Sequence, residues 1–453
     1  MISPPPVGPT PIGSHAPAAD DTPLPAAYQQ VAPPPLGAPM LDGRVVADVA
    51  VVGAGYTGLS TALHLAERGV RAVVVEAREV GWGGSGRAFG QVVPYAKHGQ
   101  DHILAHFGPE RGERIIAMLG DGPDTVFGLI EKHAIACEAV RAGLLFAAHT
   151  AANAGVLERR ARFWQERGAP TSFLDRDATE ALTGSRFYPA ALLDRRGGTL
   201  NPLGYARGLA HAAVAAGARI YELSPATALR PRAGGWEVAA GKGTVEAEQV
   251  VLATDAYTDA LWPGLARSLI PLRAYHLVSA PLTGNLQRAV LPGRQSLTDT
   301  RHLYSGIRMR PDGRIHIGVD GPAFRNGAHP YRHKATQRIA RLFPALADIR
   351  WEDEVAGWVG MTADQYPHIH SLAPGMWAGI GLNGRGIAFG TLLGRELALR
   401  LLGRPEQELA MPVTPLRPIA VRPFARPLVG SLMQLYRVVD GIALRGAYLR
   451  NGR

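Results

Sequence analysis

The feature that most constrains this chain is a glycine-rich turn set between a strand and a helix. Asp48-Val-Ala-Val-Val52 is a β-branched run of the kind buried in a parallel sheet. Gly53-Ala-Gly-Tyr-Thr-Gly58 follows, then a helix with Leu59, Leu63 and Ala66 on one face, ended by Gly69. Arg71-Ala-Val-Val-Val-Glu76 reads as a second strand and completes a βαβ unit. Gly53 permits the tight turn, Gly55 lets the backbone approach a pyrophosphate, and Gly58 lets helix and strand pack closely. Free amides at the helix N-terminus favour phosphate charge. Glu76, 18 residues past Gly58, suits a ribose diol. The pattern predicts a dinucleotide site.

FAD and NAD share this fingerprint, so the choice rests on what comes next. Val80 to Gln91 is a second glycine-rich loop, where a nicotinamide dehydrogenase usually continues into another helix. A backbone-lined loop with one arginine suits a longer cofactor, whose pyrophosphate and isoalloxazine both need close approach. Downstream, Asn201 and Pro202 mark a helix start, with the helix running to Gly217. Strand Arg219 to Glu222, a hairpin around Gly241-Lys-Gly243 and strand Gln249 to Thr254 resume the sheet after an insertion. The first domain is therefore expected to be discontinuous, over residues 45–99, 196–265 and 351–405. Residues 100–195 and 266–350 read as an α+β lid, with alternating segments Leu303 to Arg308 and Arg314 to Gly318. In the last helix, Gly386 to Leu402, Gly390 and Gly394 suggest close approach to a sheet or ligand.

Residues 1–44 carry twelve prolines and no alternating apolar pattern, which predicts a disordered arm without the continuous apolar centre of a secretory leader. The net charge is +10, and residues 412–453 hold seven arginines against one acid, Asp440, so the body is nearly neutral. That balance argues against a surface that coats nucleic acid. In the basic tail, 406–453, Phe424, Leu428, Leu432, Leu435, Tyr436 and Val439 recur every three to four residues, among Arg422, Arg426 and Arg437. Such a stripe is expected to dock on its own domain, with peripheral contact to an anionic membrane as the alternative. A single cysteine, Cys137, excludes a disulfide framework within the chain and fits a reduced, cytoplasmic setting. No apolar run reaches the roughly 18 residues of a membrane span. His368 and His370 lack a third ligand, so no metal is expected. Ser85 lacks the frame of a hydrolase nucleophile, and no phosphate-binding loop of the triphosphatase type occurs.

Four motifs in order carry a resemblance: Val51 to Ser60, Gly81 to Pro94, Val251 to Tyr257 and Gly381 to Ala388. On them the sequence resembles the D-amino-acid oxidase type of FAD-dependent oxidoreductases, the group with glycine and sarcosine oxidases, and most of all its gamma-glutamylputrescine oxidase branch. The likeness spans about Asp48 to Leu402. It implies an α/β plus α+β fold: a Rossmann-like FAD-binding domain (βαβ plus β-meander) with a discontinuous substrate domain on a mixed β-sheet. Carried over residue by residue, Gly53, Ala54, Gly55, Thr57 and Gly58 match the pyrophosphate turn, and Glu76 with Ala77 the ribose site. Ser85, Gly86, Arg87, Gly90 and Gln91 match the loop over the diphosphate and flavin. Ala226 matches the adenine contact, while Ala253 and Thr254 belong to the third motif. Asn383, Gly384, Arg385, Gly386 and Ile387 match the turn facing the flavin's pyrimidine edge. Two departures stand out: Ala88-Phe89 replaces the Asn-Gly common in the branch, and Cys137 lies in the wrong region for a covalent flavin, which predicts non-covalent FAD.

The implied reaction is oxidation of the C–N bond of an amine or amino acid, with hydride passing to flavin N5 and an imine left to hydrolyse. Candidates to position the substrate are Arg308 and Tyr304 in the lid, His98 after the second loop, and Tyr275 with His276. Read as one strand, Asp299 to Arg308 puts Tyr304, Gly306 and Arg308 on one side, where a guanidinium fork suits a substrate carboxylate. Oxygen or another acceptor would take the electrons. The competing readings are a dehydrogenase serving a membrane or protein acceptor, an RNA-modifying flavoprotein and a flavin-holding module without turnover; no nucleic-acid partner is expected.

Overall fold

The β-branched runs around the glycine turn pair as buried parallel strands. In this computed structural model, which describes residues 22–303, 306–319, 321, 331–420 and 425–451, strand Asp42–Val52 lies parallel to Ala72–Val75 and to Lys242–Leu252. Arg219–Tyr221 and Met376–Ile380 continue the sheet in parallel on its two sides. Gly241, at φ +57°, turns the chain from Gly235–Ala240 into Lys242–Leu252, and Ala226–Arg232 completes the antiparallel meander. Helix Pro202–Ala215 starts as its sequence predicts, the Asn201 side chain accepting from Gly204 N–H.

Gly390 and Gly394 bring helix Gly386–Leu401 against helix Tyr56–Ala66, not against a sheet. A Cβ at Gly390 would lie 2.8 Å from Tyr56 Cβ, and one at Gly394 2.5 Å from the Thr57 carbonyl oxygen. The two glycines are what lets the helices touch.

The second, eight-stranded sheet is mixed. Ile270–Pro281 runs antiparallel to Arg314–Val319 on one side and to Trp351–Met361 on the other, and Ser296–Asp299 pairs parallel with Leu144–Ala147. Trp351–Met361 thus belongs to this sheet, not to the nucleotide sheet to which 351–405 was assigned. Helices Gln100–Phe107, Pro109–Gly120 and Gly122–Lys132 send Ile103, Ile115, Leu119 and Val126 into the core around helix Tyr56–Ala66, so they group with the nucleotide sheet instead of the lid. The segment Asp299 to Arg308 is not one strand either. Ser296–Asp299 ends, the chain turns, and Ile307–Met309 returns antiparallel to it, which voids the alternation argument for Arg308.

The disordered arm expected through residue 44 is corrected for its described part; residues 1–21 lie outside the described residues. From Thr22 the chain packs against the body, with Tyr28 and Leu41 fully buried. Arg310 donates to the Ala27 carbonyl at 2.8 Å, Asn201 to that of Tyr28 at 3.0 Å, and Asp353 accepts from Ala27 N–H at 2.9 Å. Distant polar groups thus satisfy a proline-rich backbone that has few partners of its own.

The tail forms helix Ala425–Asn451, but the leucines of its stripe do not dock as expected. Leu428, Leu435 and Ile442 are 58%, 57% and 66% exposed. The body is met instead at the edge of the stripe: Asp440 accepts from His302 Nδ1 at 2.8 Å, and the stripe's Tyr436 stacks on the same imidazole. Arg422 and Phe424 lie outside the described residues.

Candidate active site

The glycine turn is built from contacts that a side chain would break. A Cβ at Gly58 would lie 2.0 Å from the Gly53 carbonyl oxygen, and Gly53 itself, at φ +105°, approaches the Ala253 carbonyl. The helix that follows starts at Gly55, which brings no capping oxygen. Ser85 Oγ accepts from Tyr56 N–H at 3.0 Å, bringing the second glycine loop against the helix N-terminus. Glu76 ends its strand with the carboxylate accepting from Ala54 N–H at 2.7 Å and Arg78 N–H at 3.0 Å. Burial pushes its carboxyl above the usual range, against the pull of those amides.

A cavity of about 350 Å³ opens between the two sheets. The nucleotide side contributes Gly53, Ala54, Gly55, Thr57, Glu76, Ala77, Ala226, Ala253 and Thr254 to its wall, and the second sheet contributes Ala274, His276, Gly357, Trp358 and Val359. Ser85, Arg87, Phe89, Gly384 and Gly386 line it as well.

The turn before helix Gly386–Leu401 is held by two side chains. Asp255, itself at φ +40°, accepts from Gly381 N–H at 2.7 Å and Leu382 N–H at 3.2 Å. Asn383 accepts from Thr362 N–H at 3.0 Å and donates to the Gly381 carbonyl, so it braces the turn rather than forming the wall. Arg385 is the N-cap residue and brings no capping bond, leaving the helix's positive end near the cavity. Ile387 is buried in the core behind.

Several sequence-derived candidates fall elsewhere. Gly86 N–H donates to the Gly81 carbonyl behind the wall, whereas Arg87, which stays in the wall, has its guanidinium turned to the carbonyls of Trp82, Pro23 and Thr22. Gly90 turns at φ +92° against the Leu200 carbonyl, and Gln91 reaches Ser296 Oγ at 2.5 Å, both away from the cavity wall. His98 donates to the Asp364 carbonyl at 2.9 Å and stacks on His102, in a surface row of imidazoles. Tyr304 lies outside the described residues. Arg308 is 3% exposed and behind the wall, with Nε donating to His316 Nδ1 at 3.1 Å and a terminal nitrogen to the Leu200 carbonyl at 2.9 Å. Tyr275 packs on Tyr331, but His276, its neighbour, faces the cavity. Its Nδ1 has no hydrogen-bond partner among the described residues. Burial pushes its pKa down to about 3, with the Arg308 guanidinium adding to the effect, so the imidazole is neutral.

Sequence reasoning assigned no role to Asp255, although a carboxylate directly after an apolar strand was a signal. Trp358 had no local signal, since only pairing with Ile270–Pro281 sets it opposite Arg273 and beside the cavity. His368 and His370 stack on each other and bond to Thr414.

The donor set fits FAD: a helix start free of an N-cap side chain for a pyrophosphate, a carboxylate for a ribose, and a second helix start for a pyrimidine edge. Two sheets enclosing such a site define a dinucleotide-dependent oxidoreductase. More particularly, the chain belongs to the DAO family of FAD-dependent oxidoreductases, whose family model matches residues 48–400. It is 31% identical over 369 residues to gamma-glutamylputrescine oxidoreductase of Escherichia coli, covering 81% of this chain and 86% of that one. Glycine oxidase of Geobacillus kaustophilus is 26% identical over 373 residues, covering 78% of this chain and 92% of the other. The crystal structure of glycine oxidase from Geobacillus kaustophilus shares the fold, with a TM-score of 0.68 at 23% identity over 81% of this chain and 96% of that one. Among the described residues, no helix is long and apolar enough to cross a membrane.

Proposed function

We propose that the chain oxidises the C–N bond of a small-molecule amine or amino acid, using FAD held without a covalent bond. The observation that carries this reading is the neutral imidazole of His276, presented by the second sheet to the cavity that the glycine turn and Glu76 also line. When bound, FAD would supply the electron acceptor: a hydride would leave the carbon bearing the neutral amine for N5, and the iminium left behind would hydrolyse in water. The work of the protein is to hold that amine neutral and oriented. A neutral imidazole accepts or donates one hydrogen bond without adding a positive charge beside it. Trp358 and Phe89 supply apolar wall that excludes water. Cys137 sits beneath Gly204, 1% exposed, its thiol pushed up to about 12 by burial, which makes it a poor attachment point.

An anaerobic screen tests the reaction: amines and amino acids are added to the FAD-loaded protein and loss of flavin absorbance is followed. Bleaching by at least one of them supports the reading, and a stable flavin spectrum with all of them overturns it. Release of all flavin on denaturation supports non-covalent binding.

A second reading concerns the acceptor. The exposed apolar face of helix Ala425–Asn451, in a tail rich in arginine, favours delivery of electrons at an anionic membrane surface over oxygen. Sedimentation with vesicles containing anionic lipid, and reoxidation by a short-chain quinone compared with oxygen, decide between them.

A further inference from the structure

The second glycine loop departs from the branch's usual sequence at Ala88-Phe89, and the departure has a structural counterpart. The Phe89 ring lines the cavity, whereas Arg308 does not. The guanidinium carbon of Arg308 lies 5.6 Å from the centre of that ring, buried and outside the cavity wall. His316 and His276 pack on the same ring, at 4.6 and 5.2 Å between centres. Room for it comes from Gly306, where a Cβ would stand 2.4 Å from Phe89 Cε1.

Behind this ring the arginine is in an unusual state. Its hydrogen-bond partners, His316 Nδ1, the Leu200 carbonyl and the Tyr28 hydroxyl, are all neutral groups, and the Glu138 carboxylate acts on it only through space. A buried guanidinium whose acceptors carry no charge would bind any carboxylate that reached it. Arg87, which does line the cavity, differs in that Nε and both terminal nitrogens already donate to backbone carbonyls, so it has no nitrogen left over for a carboxylate. On the substrate side, then, the wall offers a neutral imidazole and aromatic faces.

We propose that Phe89 is a specificity-determining residue that screens Arg308 from the cavity, so that the substrate is an amine bearing no carboxylate on its reacting carbon. This rests on the C–N oxidation proposed above and narrows its substrate class. An amino acid would have to bury its carboxylate against Phe89, with the one nearby wall guanidinium, Arg87, already donating from all three nitrogens to backbone carbonyls, which costs the desolvation of a charge.

The test uses FAD-loaded protein and two measurements. In the first, acetate and benzoate are titrated into wild type, Phe89→Ala and Phe89→Ala/Arg308→Gln, and the flavin spectrum is recorded. The expected result is no saturable change in wild type, a saturable change in Phe89→Ala, and its loss in the double variant. A saturable change in wild type that Arg308→Gln removes, or no gain in Phe89→Ala, overturns the proposal. If Phe89→Ala fails to retain FAD, Phe89→Val carries the same titration. In the second, wild type is reduced anaerobically by benzylamine and by phenylglycine, which differ only by a carboxylate on the reacting carbon. Benzylamine is expected to be faster by about tenfold or more; equal rates, or a faster phenylglycine, overturn the proposal. Reduction by neither, or by none of a wider panel, counts against C–N oxidation itself, and the carboxylate titration still decides the role of Phe89.

Discussion

The Tyr28 hydroxyl donates to the Ala88 carbonyl oxygen across 2.9 Å, so a residue 60 positions upstream holds the backbone of the second glycine loop. The Tyr28 ring is fully buried, and the same hydroxyl lies 3.5 Å from His316 Nε2. Tyr28→Ala should cost about 3 to 5 kcal/mol through the cavity it leaves. Tyr28→Phe should cost only about 1 kcal/mol, the net worth of its hydrogen bond. Urea unfolding midpoints of the FAD-loaded proteins check both values. Full stability after deletion of residues 22–32 would show that this segment does not dock in solution.

Glu76 should govern cofactor retention. Glu76→Ala removes both the charge that would meet a ribose diol and the acceptor for Ala54 N–H. A loss of about 1.5 to 3 kcal/mol in FAD binding is expected, with Glu76→Gln in between. Equilibrium dialysis against FAD measures it, and unchanged affinity in Glu76→Ala removes the residue from the site.

Gly58→Ala should lower stability and FAD content together. Its Cβ would stand 2.0 Å from the Gly53 carbonyl oxygen, a backbone atom that must move for the methyl to fit. Overpacking of this kind costs about 1 to 3 kcal/mol. Flavin absorbance per protein after gel filtration, with the melting temperature, reads both effects.

The depressed pKa of His276 gives the protein an acid lability with a definite sign. The ring titrates at about 3 when folded against 6.5 when free, so in that window the unfolded chain binds a proton that the folded chain does not. Stability from this group is therefore complete above pH 6.5 and falls as pH is lowered towards 3. The slope is at most about 1.4 kcal/mol per pH unit. His276→Asn should lose less stability than wild type between pH 6.5 and 4, as read from urea midpoints in a buffer series. Parallel curves for the two proteins contradict a buried neutral imidazole.

Leu435→Gln and Ile442→Gln should each change stability by no more than about 0.5 kcal/mol, because both side chains face solvent. Asp440→Asn should destabilise the tail helix, since its carboxylate accepts from both His302 and Leu303. Limited proteolysis of the tail distinguishes the two classes of variant.

The sequence by itself determined whatever depends on neighbouring residues. Strand, glycine turn and helix from Asp48 to Ala66 follow from β-branched packing and from close approaches only glycine allows, and Asn201-Pro202 marks a helix start by local hydrogen bonding. Glu76 was legible because strand length alone sets it at the end of its strand, beside the turn. Tertiary structure alone decided which side chains face the cavity. Arg308 stands across from His316 through strand register and behind Phe89 through a loop contact, with Tyr28 bracing that loop from a segment whose prolines had predicted disorder. The tail helix likewise shows its two faces in sequence, yet His302 selects the one carrying Asp440. Burial of a charged or aromatic side chain depends on partners that the tertiary fold brings from other elements, and residue spacing along the chain carries no record of those partners.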